Sequence, residues 1–493
     1  MKISTIIVLG AGSAGLMAAL TLKRKLPQLE VRIVRSPDIG IIGVGEGTTA
    51  VFPRHFFEYL KMSPRDFYAE AEPTWKMGIR FLWGPREKFF YTFSFEHERK
   101  LPELKRNNGF YYTDEFPWLS NASAYMAQGK VFPRRPDGLP QFHNNHAFHI
   151  ENKKLVHWLE HRCQEQGVVI TDATVTPEIA GESITALTTT DGQRITGDLY
   201  IDASGFRSEL LGRALGEPFE SYEDSLFCDR AVIAGWPRTT EPILPYTTAE
   251  TMDAGWAWQI EHETFINRGY VYSSRFINDE EAAAELLQKN PAISTQPRVV
   301  KFRSGRYRRN WIGNVVGIGN AAGFVEPLEA TALQVICVEA STLADALLDG
   351  MCETNPSMVK LYNRYNAAQW DDIRNFLAIH YKFNTRLNTS FWQACRRDTA
   401  LHGAGEIVEF YQDNGPSALA GVTLIHPSNS FRMDGFLALL VGQNVPHNKS
   451  WQPSADERKI WRQHCERLAA EARGGMTVKE ALTAIRSRGV KLA

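Results

Sequence analysis

Hydrophobic and polar positions follow two different periods in the first 35 residues. Residues 4–9 form a short β-branched run that stops at Gly10, which predicts a buried parallel strand. Residues 14–26 have the apolar spacing of a helix, and residues 31–34 form a second apolar run. The pattern therefore predicts a βαβ unit with a glycine-rich turn between its first strand and its helix.

The pattern between residues 40 and 170 mixes turns, loops and one amphipathic helix. Residues 40–89 contain glycine-rich turns and mixed segments, whereas residues 100–147 are polar and rich in Pro and Asn. The second stretch predicts long surface loops. Residues 153–166 place apolar side chains on one face of a predicted helix, and residues 168–170 predict the strand that follows.

Strand patterns give way to helical patterns in the last third of the chain. Residues 198–202 and 311–317 predict core strands, and residues 226–275 alternate as in a β-sheet. Helical spacing then dominates, for example over residues 335–348 and 363–381. The predicted core strands therefore come from separated parts of the chain.

Composition narrows the classes of protein. The 493 residues suffice for two or three subdomains, and 43% hydrophobic with 23% charged residues is typical of a soluble globular protein. Lys plus Arg (55) nearly equals Asp plus Glu (56), and no basic block indicates nucleic acid. No run reaches the roughly 18 apolar residues of a membrane span. We expect neither a nucleic-acid nor a membrane partner.

The cysteines indicate a reducing compartment. The six cysteines form no C-x-x-C pair, and no histidine cluster has the spacing of a zinc site. The apolar residues 6–9 are too few for a signal peptide and run directly into glycines. We therefore expect reduced thiols, no metal and a cytoplasmic protein.

The predicted turn fits the pattern G-x-G-x-x-G at Gly10, Gly12 and Gly15. The first glycine permits the tight turn, the second lets the backbone approach a pyrophosphate, and the third lets helix and strand pack closely. The helix start at Ser13 and Ala14 offers free N–H groups and a positive dipole end to phosphates. These five residues are candidates for binding a dinucleotide.

The position that usually identifies the dinucleotide is altered. An acidic side chain that binds the ribose is expected about 20 positions beyond the turn. Arg35 occupies that place, with Ser36 and Asp38 beside it. Arg35 is a candidate cofactor contact, and its charge is compatible with the 2′-phosphate of NADP. The turn alone leaves the dinucleotide open.

Three further segments join the glycine turn in resembling one known family. They are Trp75-Lys-Met-Gly-Ile-Arg-Phe81, Gly255-Trp-Ala-Trp-Gln-Ile260 and Gly323-Phe-Val-Glu-Pro-Leu-Glu-Ala-Thr-Ala-Leu333. In this order and at these separations, the four segments resemble the flavin-dependent halogenases, the family typified by tryptophan halogenases. The resemblance covers about residues 1–340, and more loosely the rest.

The resemblance implies an α/β fold. Its core is a Rossmann-like FAD-binding fold of the flavin monooxygenase type, with an added β-sheet and a helical C-terminal substrate subdomain. We expect a discontinuous FAD-binding domain over residues 1–330, with inserted sheet and loops. The helical substrate-binding subdomain is expected over residues 331–493, and the sheet at residues 226–275 is expected to cover the flavin.

The resemblance also favours FAD over NADP. Residues 198–207 resemble the second FAD-contact strand of flavin monooxygenases and halogenases, and residues 318–322 resemble their Gly-Asp motif, with Asn320 where Asp is common. Residues 42–48 resemble the flavin-facing loop of the halogenases, although a plain glycine-rich turn is the alternative. The candidate contacts in these segments are Gly45, Glu46, Thr48, Asp202, Gly319 and Asn320.

Partners follow from the resemblance and from what the chain contains. The sequence has one dinucleotide fingerprint, so we expect reduced flavin, FADH2, to arrive from a separate flavin reductase. Chloride or bromide is the implied co-substrate, and the family implies a tendency toward homodimers.

Lys76 and Glu329 fall on the two catalytic positions of the family. There, reduced FAD and O2 give a flavin hydroperoxide, and halide attack on it yields hypohalous acid, which passes through a tunnel to the lysine. The lysine hydrogen-bonds the acid or forms a haloamine, since burial makes a neutral amine accessible. The glutamate polarises the acid or accepts the ring proton. Without the resemblance, Lys76 is interpreted as a surface lysine and Glu329 as a carboxylate at a helix start.

The segment after Glu329 departs from the Glu-Ser-Thr-Gly run of the family. It reads Ala330-Thr331-Ala332. In the family the halide is held there by a backbone N–H group and a threonine, so Thr331 and Ala332 are the halide candidates.

Trp256 and Trp258 match the Trp-x-Trp-x-Ile signature of the family. The two indoles are expected to keep the substrate away from the flavin, which prevents hydroxylation; the alternative is that they only pack in the core. Glu261 stands where the family usually has Pro.

The substrate class follows from the chemistry that the family implies. An electrophilic halogen attacks electron-rich aromatic rings, and Phe93 and Phe95 are candidates to sandwich an indole, unless both belong to the core. Groups that hold the charged end of free tryptophan have no clear counterpart in residues 385–455, which favours indole or an open site. Two alternatives stay open: a flavin-dependent aromatic hydroxylase and a non-catalytic flavin-binding protein.

Overall fold

The computed structural model describes residues 2–40, 45–97, 101–105, 120–142 and 145–488. The strands are β1 (Thr5–Leu9), β2 (Glu30–Arg35), β3 (Gly45–Gly47), β4 (Thr74–Lys76), β5 (Gly78–Leu82), β6 (Phe89–Thr92), β7 (Ala147–Glu151), β8 (Val169–Asp172), β9 (Val175–Ala180), β10 (Ser183–Thr189), β11 (Arg194–Ile195), β12 (Leu199–Asp202), β13 (Phe219–Ser221), β14 (Arg230–Pro237), β15 (Thr247–Met252), β16 (Gly255–Glu261), β17 (Phe265–Tyr272), β18 (Arg298–Lys301), β19 (Gly305–Tyr307), β20 (Trp311–Ile312), β21 (Val315–Gly317) and β22 (Gly323–Phe324).

The α-helices are α1 (Ser13–Lys25), α2 (Val51–Pro53), α3 (Pro64–Glu70), α4 (Asn121–Ala127), α5 (Asn152–Glu165), α6 (Asp279–Lys289), α7 (Ala332–Asp349), α8 (Pro356–Phe383), α9 (Ser390–Asp398), α10 (Gly405–Asn414), α11 (Arg432–Gly442), α12 (Ala455–Arg473) and α13 (Val478–Arg488). Short π-helices and 3-10 helices occupy Arg54–Tyr59, Gly205–Arg207, Glu209–Ala214, Gly319–Ala321, Pro327–Glu329, His402–Ala404 and Ala418–Val422. Within the described ranges, none of the helices combines the length and the hydropathy that crossing a bilayer requires.

The chain divides into two compact units. Unit 1 comprises Met1–Pro73, Ile150–Glu223 and Phe302–Ile373, and unit 2 comprises Thr74–His149, Asp224–Lys301 and Arg374–Ala493. The division differs from the boundary expected at residue 330, because α7 packs against α1 and therefore belongs to unit 1. The sheet predicted within residues 226–275 belongs to unit 2, together with the helices that follow residue 374.

Unit 1 is built on a mainly parallel six-stranded sheet with the order β20-β21-β12-β1-β2-β8. Strand β1 lies between β2 and β12, parallel to both. Ile6, Ile7 and Val8 of β1 are fully buried, and burial of each such side chain stabilises the fold by about 1.5–3 kcal/mol. The predicted βαβ opening is therefore confirmed, and its helix α1 is packed by α5 and α7.

The strand predicted at residues 311–317 is a tight hairpin. Strands β20 and β21 pair antiparallel, with Trp311 opposite Val316. Gly313 lies between them with φ of +51°, a conformation that favours glycine. A Cβ at this position would lie 2.0 Å from the backbone oxygen of Glu182, so the turn admits only glycine.

Unit 2 is built on a seven-stranded sheet with the order β18-β14-β17-β16-β15-β5-β6. Strands β14 to β17 confirm the alternation predicted for residues 226–275. Their pairs with one another are antiparallel, whereas β15 pairs with β5 in parallel. The face that carries Ala257, Tyr270 and Tyr272 packs against α6 and forms one core of the unit.

The described residues 120–142 form more regular structure than the predicted surface loops. Helix α4 begins at a capping box formed by Ser120, and Tyr125 packs against Leu468 and Ala472 of α12. Val131 and Phe132 are also buried. The apolar side chains of this polar segment are widely spaced, so no periodic pattern predicts their burial. The burial depends on α12, which is distant in sequence. Residues 98–100, 106–119 and 143–144 lie outside the described residues.

Candidate functional site

The turn between β1 and α1 requires glycine for the predicted reasons. Gly10 has φ of +112°, and a Cβ there would lie 2.4 Å from the backbone oxygen of Ala203. A Cβ at Gly15 would lie 1.9 Å from the oxygen of Gly10. The first glycine thus permits the turn, and the third permits close packing of helix on strand.

Gly12 is open on the side where a ligand would approach. A Cβ there would meet no described atom within 4 Å, and as the N-cap of α1 it makes no side-chain capping bond. The first turn of α1 has no acidic residue, while Lys23, Arg24 and Lys25 lie in its last turn. The hydroxyl of Ser13 donates to Asn152 Oδ1 at 2.8 Å, which orients the start of the helix. The backbone N–H groups of this turn therefore suit a pyrophosphate.

Arg35 is engaged by two carboxylates of unit 1. Its Nε donates to Asp172 Oδ1 at 2.6 Å, and its Nη1 donates to Glu160 Oε2 at 3.0 Å. The hydrogen bond with Asp172 raises the pKa of Arg35. An arginine neutralised in this way is a poor partner for a 2′-phosphate, which argues against NADP.

The carboxylate of Asp202 organises the turn that follows β12. It accepts from the backbone N–H and hydroxyl of Ser204 and from the backbone N–H groups of Leu210 and Leu211, at 2.6–3.1 Å. Burial raises its pKa, while these donors oppose that shift. The side chain thus shapes the cofactor region by holding the backbone.

The segment around Gly319 lies against the start of α1. Gly319 has φ of +63°, and a Cβ there would lie 3.0 Å from Cβ of Ala14. Asn320 is half-buried in the same 3-10 turn. Two motifs separated by about 300 residues are therefore neighbours in unit 1.

Glu339 of α7 is a functional candidate that the sequence analysis missed. It is buried and accepts from the N–H of Gly319 at 2.7 Å, from Asn310 Nδ2 at 3.1 Å and from Trp370 Nε1 at 3.2 Å. Burial raises its pKa to about 8. The available signal was a lone carboxylate within the apolar stripe of a predicted helix.

The loop that resembles the flavin-facing segment is attached to the same helix. Gly45 and Glu46 lie on β3, and desolvation raises the pKa of Glu46 to about 7. Thr48 is fully buried. The hydroxyl of Thr49 donates to Gln334 Oε1 of α7 at 2.7 Å. Residues 42–44 of the predicted loop lie outside the described residues.

The Glu329 segment forms a strained entry into α7. Glu329 ends the 3-10 turn Pro327–Glu329 and is 3% exposed. Ala330 has φ of +56°, a left-handed conformation that costs a non-glycine residue about 1–2 kcal/mol. Thr331 is the buried N-cap of α7, and Ala332 is its first residue, where alanine suits helical backbone. Such strain persists where neighbours hold a functional segment in place.

Lys76 lies on β4 in unit 2 and is fully buried, so the alternative of a surface lysine is wrong. Its Nζ lies 5.6 Å from the centre of the Phe93 ring. Pairing of β4 with β7 places Lys76 and His149 on one face. Burial, followed by the charge of Lys76, holds the pKa of His149 well below its usual range. A neutral His149 accordingly adds no second charge beside the lysine.

Phe93 and Phe95 have different surroundings. Both are half-buried, and Phe93 faces Lys76. Phe95 has φ of +48°, and the Arg432 guanidinium lies 4.6 Å from the centre of its ring. The structure therefore places Phe93 beside the lysine and Phe95 beside Arg432.

Trp256 and Trp258 lie on β16 with their ring centres 6.1 Å apart, and both are buried. Trp258 Nε1 donates to Asn267 Oδ1 at 3.0 Å, and a Cβ at Gly269 would lie 2.0 Å from its indole. Glycine at position 269 thus makes room for the indole on the neighbouring strand.

Glu261, which stands where the family usually has Pro, is buried in an ion pair. Arg238 Nη2 lies 2.5 Å from Glu261 Oε2, and Gln259 Nε2 donates to Oε1 at 2.8 Å. The guanidinium of Arg238 therefore balances the buried negative charge that glutamate introduces at position 261.

A parallel sheet whose first turn presents a free helix start to phosphates defines a dinucleotide-dependent enzyme fold. The family model described as tryptophan halogenase matches residues 5–459 of this chain. Tryptophan 7-halogenase KtzQ of Kutzneria sp. (strain 744) is 34% identical over 451 residues, which cover 85% of this chain and 83% of that protein.

Two solved structures extend the comparison to the fold. MibH, described as a lathipeptide tryptophan 5-halogenase, superposes with a TM-score of 0.90 at 35% identity and covers 99% of this chain and 94% of its own. Tar14, a tryptophan C-6 flavin-dependent halogenase from taromycin biosynthesis, has a TM-score of 0.86 at 28% identity and covers 98% and 100%. The chain belongs to the tryptophan halogenase family and is a flavin-dependent halogenase.

Proposed function

We propose that this protein uses reduced FAD, O2 and chloride or bromide to halogenate an electron-rich aromatic ring, with Lys76 delivering the halogen. The observation that carries the proposal is the complete burial of Lys76 with its Nζ 5.6 Å from the Phe93 ring. Burial of a lysine amine costs free energy, so a fully buried lysine beside an aromatic side chain supports a chemical role.

Features of unit 1 support FAD as the cofactor. The N–H groups of the Gly10–Gly15 turn would hold the pyrophosphate, and the turn at Gly319 and Asn320 would border the ribityl chain. When bound, reduced FAD would supply two electrons to O2 and the halide would supply two more, so that one oxygen atom would leave as water and the other as hypohalous acid. Thr331 and Ala332 would hold the halide with a hydroxyl and a helix-start N–H group.

Lys76 and Glu329 share the remaining steps in the proposal. The amine of Lys76 hydrogen-bonds hypohalous acid, or forms an N–halogen bond with release of water. The halogen then passes to a ring carbon as the nitrogen–halogen or oxygen–halogen bond breaks, and the nitrogen or oxygen keeps the bonding electrons and takes up a proton. Glu329 accepts the proton that leaves this carbon. Trp256 and Trp258 keep the ring from the flavin, which prevents hydroxylation.

The partners follow from the same chemistry. The chain has one dinucleotide fingerprint, so a separate flavin reductase would supply reduced FAD, and homodimers would follow the tendency of the family. KtzQ, MibH and Tar14 are all described as tryptophan halogenases, which supports an indole ring as the substrate.

Mass spectrometry of the products tests the proposal. The protein is supplied with FAD, a flavin reductase, NADH, oxygen and either halide, and is offered indole or tryptophan. We expect a halogen isotope doublet that is lost in Lys76→Ala and kept in Lys88→Ala, a matched change of an exposed lysine of unit 2.

The other outcomes separate the alternatives. Oxygen insertion without halide would identify a hydroxylase. Retention of FAD without any product would support a non-catalytic flavin-binding protein. An equal doublet in wild type and Lys76→Ala would contradict the role of the lysine.

A further inference from the structure

A cavity of about 290 Å³ opens in unit 2 beside the turn that carries Phe93. Its size is close to the lower end of small-molecule sites, which span roughly 300–1,000 Å³. The lining combines hydrogen-bonding side chains with two small apolar residues: Ser94, Ser120, Asn121, Tyr125, Asn145, Ala122 and Pro133.

The turn that contains Phe93 and Ser94 connects the surroundings of Lys76 with the cavity. The ring of Phe93 faces Nζ of Lys76, and the backbone N–H of Phe93 donates to Met77 O at 3.3 Å. The next residue, Ser94, lines the cavity. A substrate whose aromatic ring lies beside Phe93 would therefore carry its nearby substituents toward this cavity.

The seven lining residues are uncharged, and the buried acid Glu96 is hydrogen-bonded to one of them. Glu96 accepts from the hydroxyl of Thr92 at 2.7 Å and from the hydroxyl of Ser120. Burial raises the pKa of Glu96, which favours its neutral form. At the rim, the carboxylate of Glu471 accepts from Asn121 Nδ2 at 2.8 Å. Among the described residues that line the cavity, none is a cation that could pair with a carboxylate.

This lining fits amide groups better than the ends of a free amino acid. An amide offers N–H donors and a carbonyl acceptor, which serine, asparagine and tyrosine side chains complement. A free amino acid would bring a carboxylate against seven described lining residues that include no cation, and an unpaired charge is costly to desolvate.

Building on the proposed halogenase function, we propose that this cavity binds the uncharged amide groups of a substrate whose indole is acylated or part of a peptide. The amides would occupy the cavity while the indole lies beside Phe93 and Lys76. Free tryptophan would then be a poorer ligand than its amide derivatives.

Binding and turnover of matched ligands separate this inference from the proposed function. Calorimetry on the full-length protein measures affinity for N-acetyl-tryptophan amide, L-tryptophan, tryptamine and indole, and halogenation of each is followed independently. We expect the blocked amide to bind at least tenfold more tightly than tryptophan or tryptamine. Amide-selective binding without halogenation would support the amide site and contradict the proposed halogenation of these aromatic rings. Equal or tighter binding of tryptophan or tryptamine would overturn the inference, whatever the turnover.

A blocked Ala-Trp-Ala peptide distinguishes the two sources of amide groups. Tighter binding of the peptide than of N-acetyl-tryptophan amide would assign a peptide substrate, whereas equal binding would assign a small acylated indole. Both results support an amide site, because both exceed free tryptophan.

Cavity variants test the location. The affinity ratio of N-acetyl-tryptophan amide to indole should fall at least fivefold in Asn145→Leu and in Ser94→Ala. The exposed Asn448→Leu serves as the matched control and should keep the wild-type ratio. An unchanged ratio in both folded cavity variants would place the amide site elsewhere.

Discussion

Glu339 joins three parts of unit 1 through one buried carboxyl. Its oxygens accept from the N–H of Gly319, from Asn310 and from Trp370, so helix α7 holds the glycine turn that faces α1. Burial raises its pKa to about 8, although the three donors oppose that shift. The Glu339 carboxyl therefore holds the Gly319 turn of the proposed flavin site, and its raised pKa brings its protonation into the neutral pH range.

The raised pKa of Glu339 predicts a pH-dependent stability. The ordinary pKa is 4.5, so between about pH 5 and 8 the folded chain holds a proton that the unfolded chain has lost. The contribution of Glu339 to the free energy of unfolding thus falls as pH rises through this window. In Glu339→Gln this dependence disappears, and the wild-type advantage over the variant should shrink by roughly 2–4 kcal/mol from pH 5 to pH 8.

Urea unfolding of both proteins at pH 5 and pH 8 measures this change. The exposed Glu103→Gln is the matched control and should differ from wild type by the same amount at both pH values. A constant difference for Glu339→Gln would show that the carboxyl does not titrate in this range.

At the scale of elements, substitution of the second and of the third glycine of the G-x-G-x-x-G motif is expected to have different effects: one weakens FAD binding and the other destabilises the fold. Gly15→Ala places a Cβ 1.9 Å from the oxygen of Gly10, which should destabilise the fold by about 2–3 kcal/mol or more. Gly12→Ala meets no described atom within 4 Å, so unfolding should change by no more than about 1 kcal/mol. FAD should nevertheless bind Gly12→Ala at least tenfold more weakly, because a methyl group would obstruct the pyrophosphate.

Thermal unfolding and quenching of FAD fluorescence separate the two effects. Loss of stability without loss of affinity in Gly12→Ala would contradict the assignment of this turn to the pyrophosphate.

Local sequence patterns predicted the β1–α1 unit and the sheet of unit 2. Strand β1, helix α1 and the sheet of β14 to β17 follow from apolar periodicity and glycine positions, which act within about ten residues. The hairpin at Gly313 was hidden because two short apolar runs joined by a compact turn resemble one strand. The burial of α4 was hidden because its partner α12 lies more than 300 residues away.

Charge pairs escaped prediction for the same reason. Arg35 pairs with Asp172 on the adjacent strand, and Glu261 pairs with Arg238 across a sheet. Each pair joins residues that no local pattern connects, and each changes the interpretation of a residue that departs from the family pattern. The sequence motifs therefore indicated the site, whereas its electrostatic support required the fold.

At the scale of the whole molecule, the two proposed catalytic residues belong to different units. Glu329 enters α7 in unit 1, and Lys76 lies on β4 in unit 2. Unit 1 also contains the nucleotide turn, while unit 2 contains Phe93 and the polar cavity. The proposed reaction assigns one catalytic residue to each unit.

This assignment predicts non-additive losses of activity. If Lys76 and Glu329 serve the same halogen transfer, removal of either disables the same step. The double variant Lys76→Ala/Glu329→Gln should therefore be no more than about threefold slower than the slower single variant. If the residues served independent steps, the two fold-losses would multiply.

Single-turnover formation of halogenated product, measured at saturating reduced FAD and halide, decides between these outcomes. Lys88→Ala/Glu103→Gln provides the matched control, since it removes an exposed lysine and an exposed glutamate. A multiplicative loss in the catalytic double variant would refute a shared step, and would assign Glu329 to the chemistry of unit 1 alone. A loss equal to that of the slower single variant would instead mean that the carboxylate and the amine serve the same step.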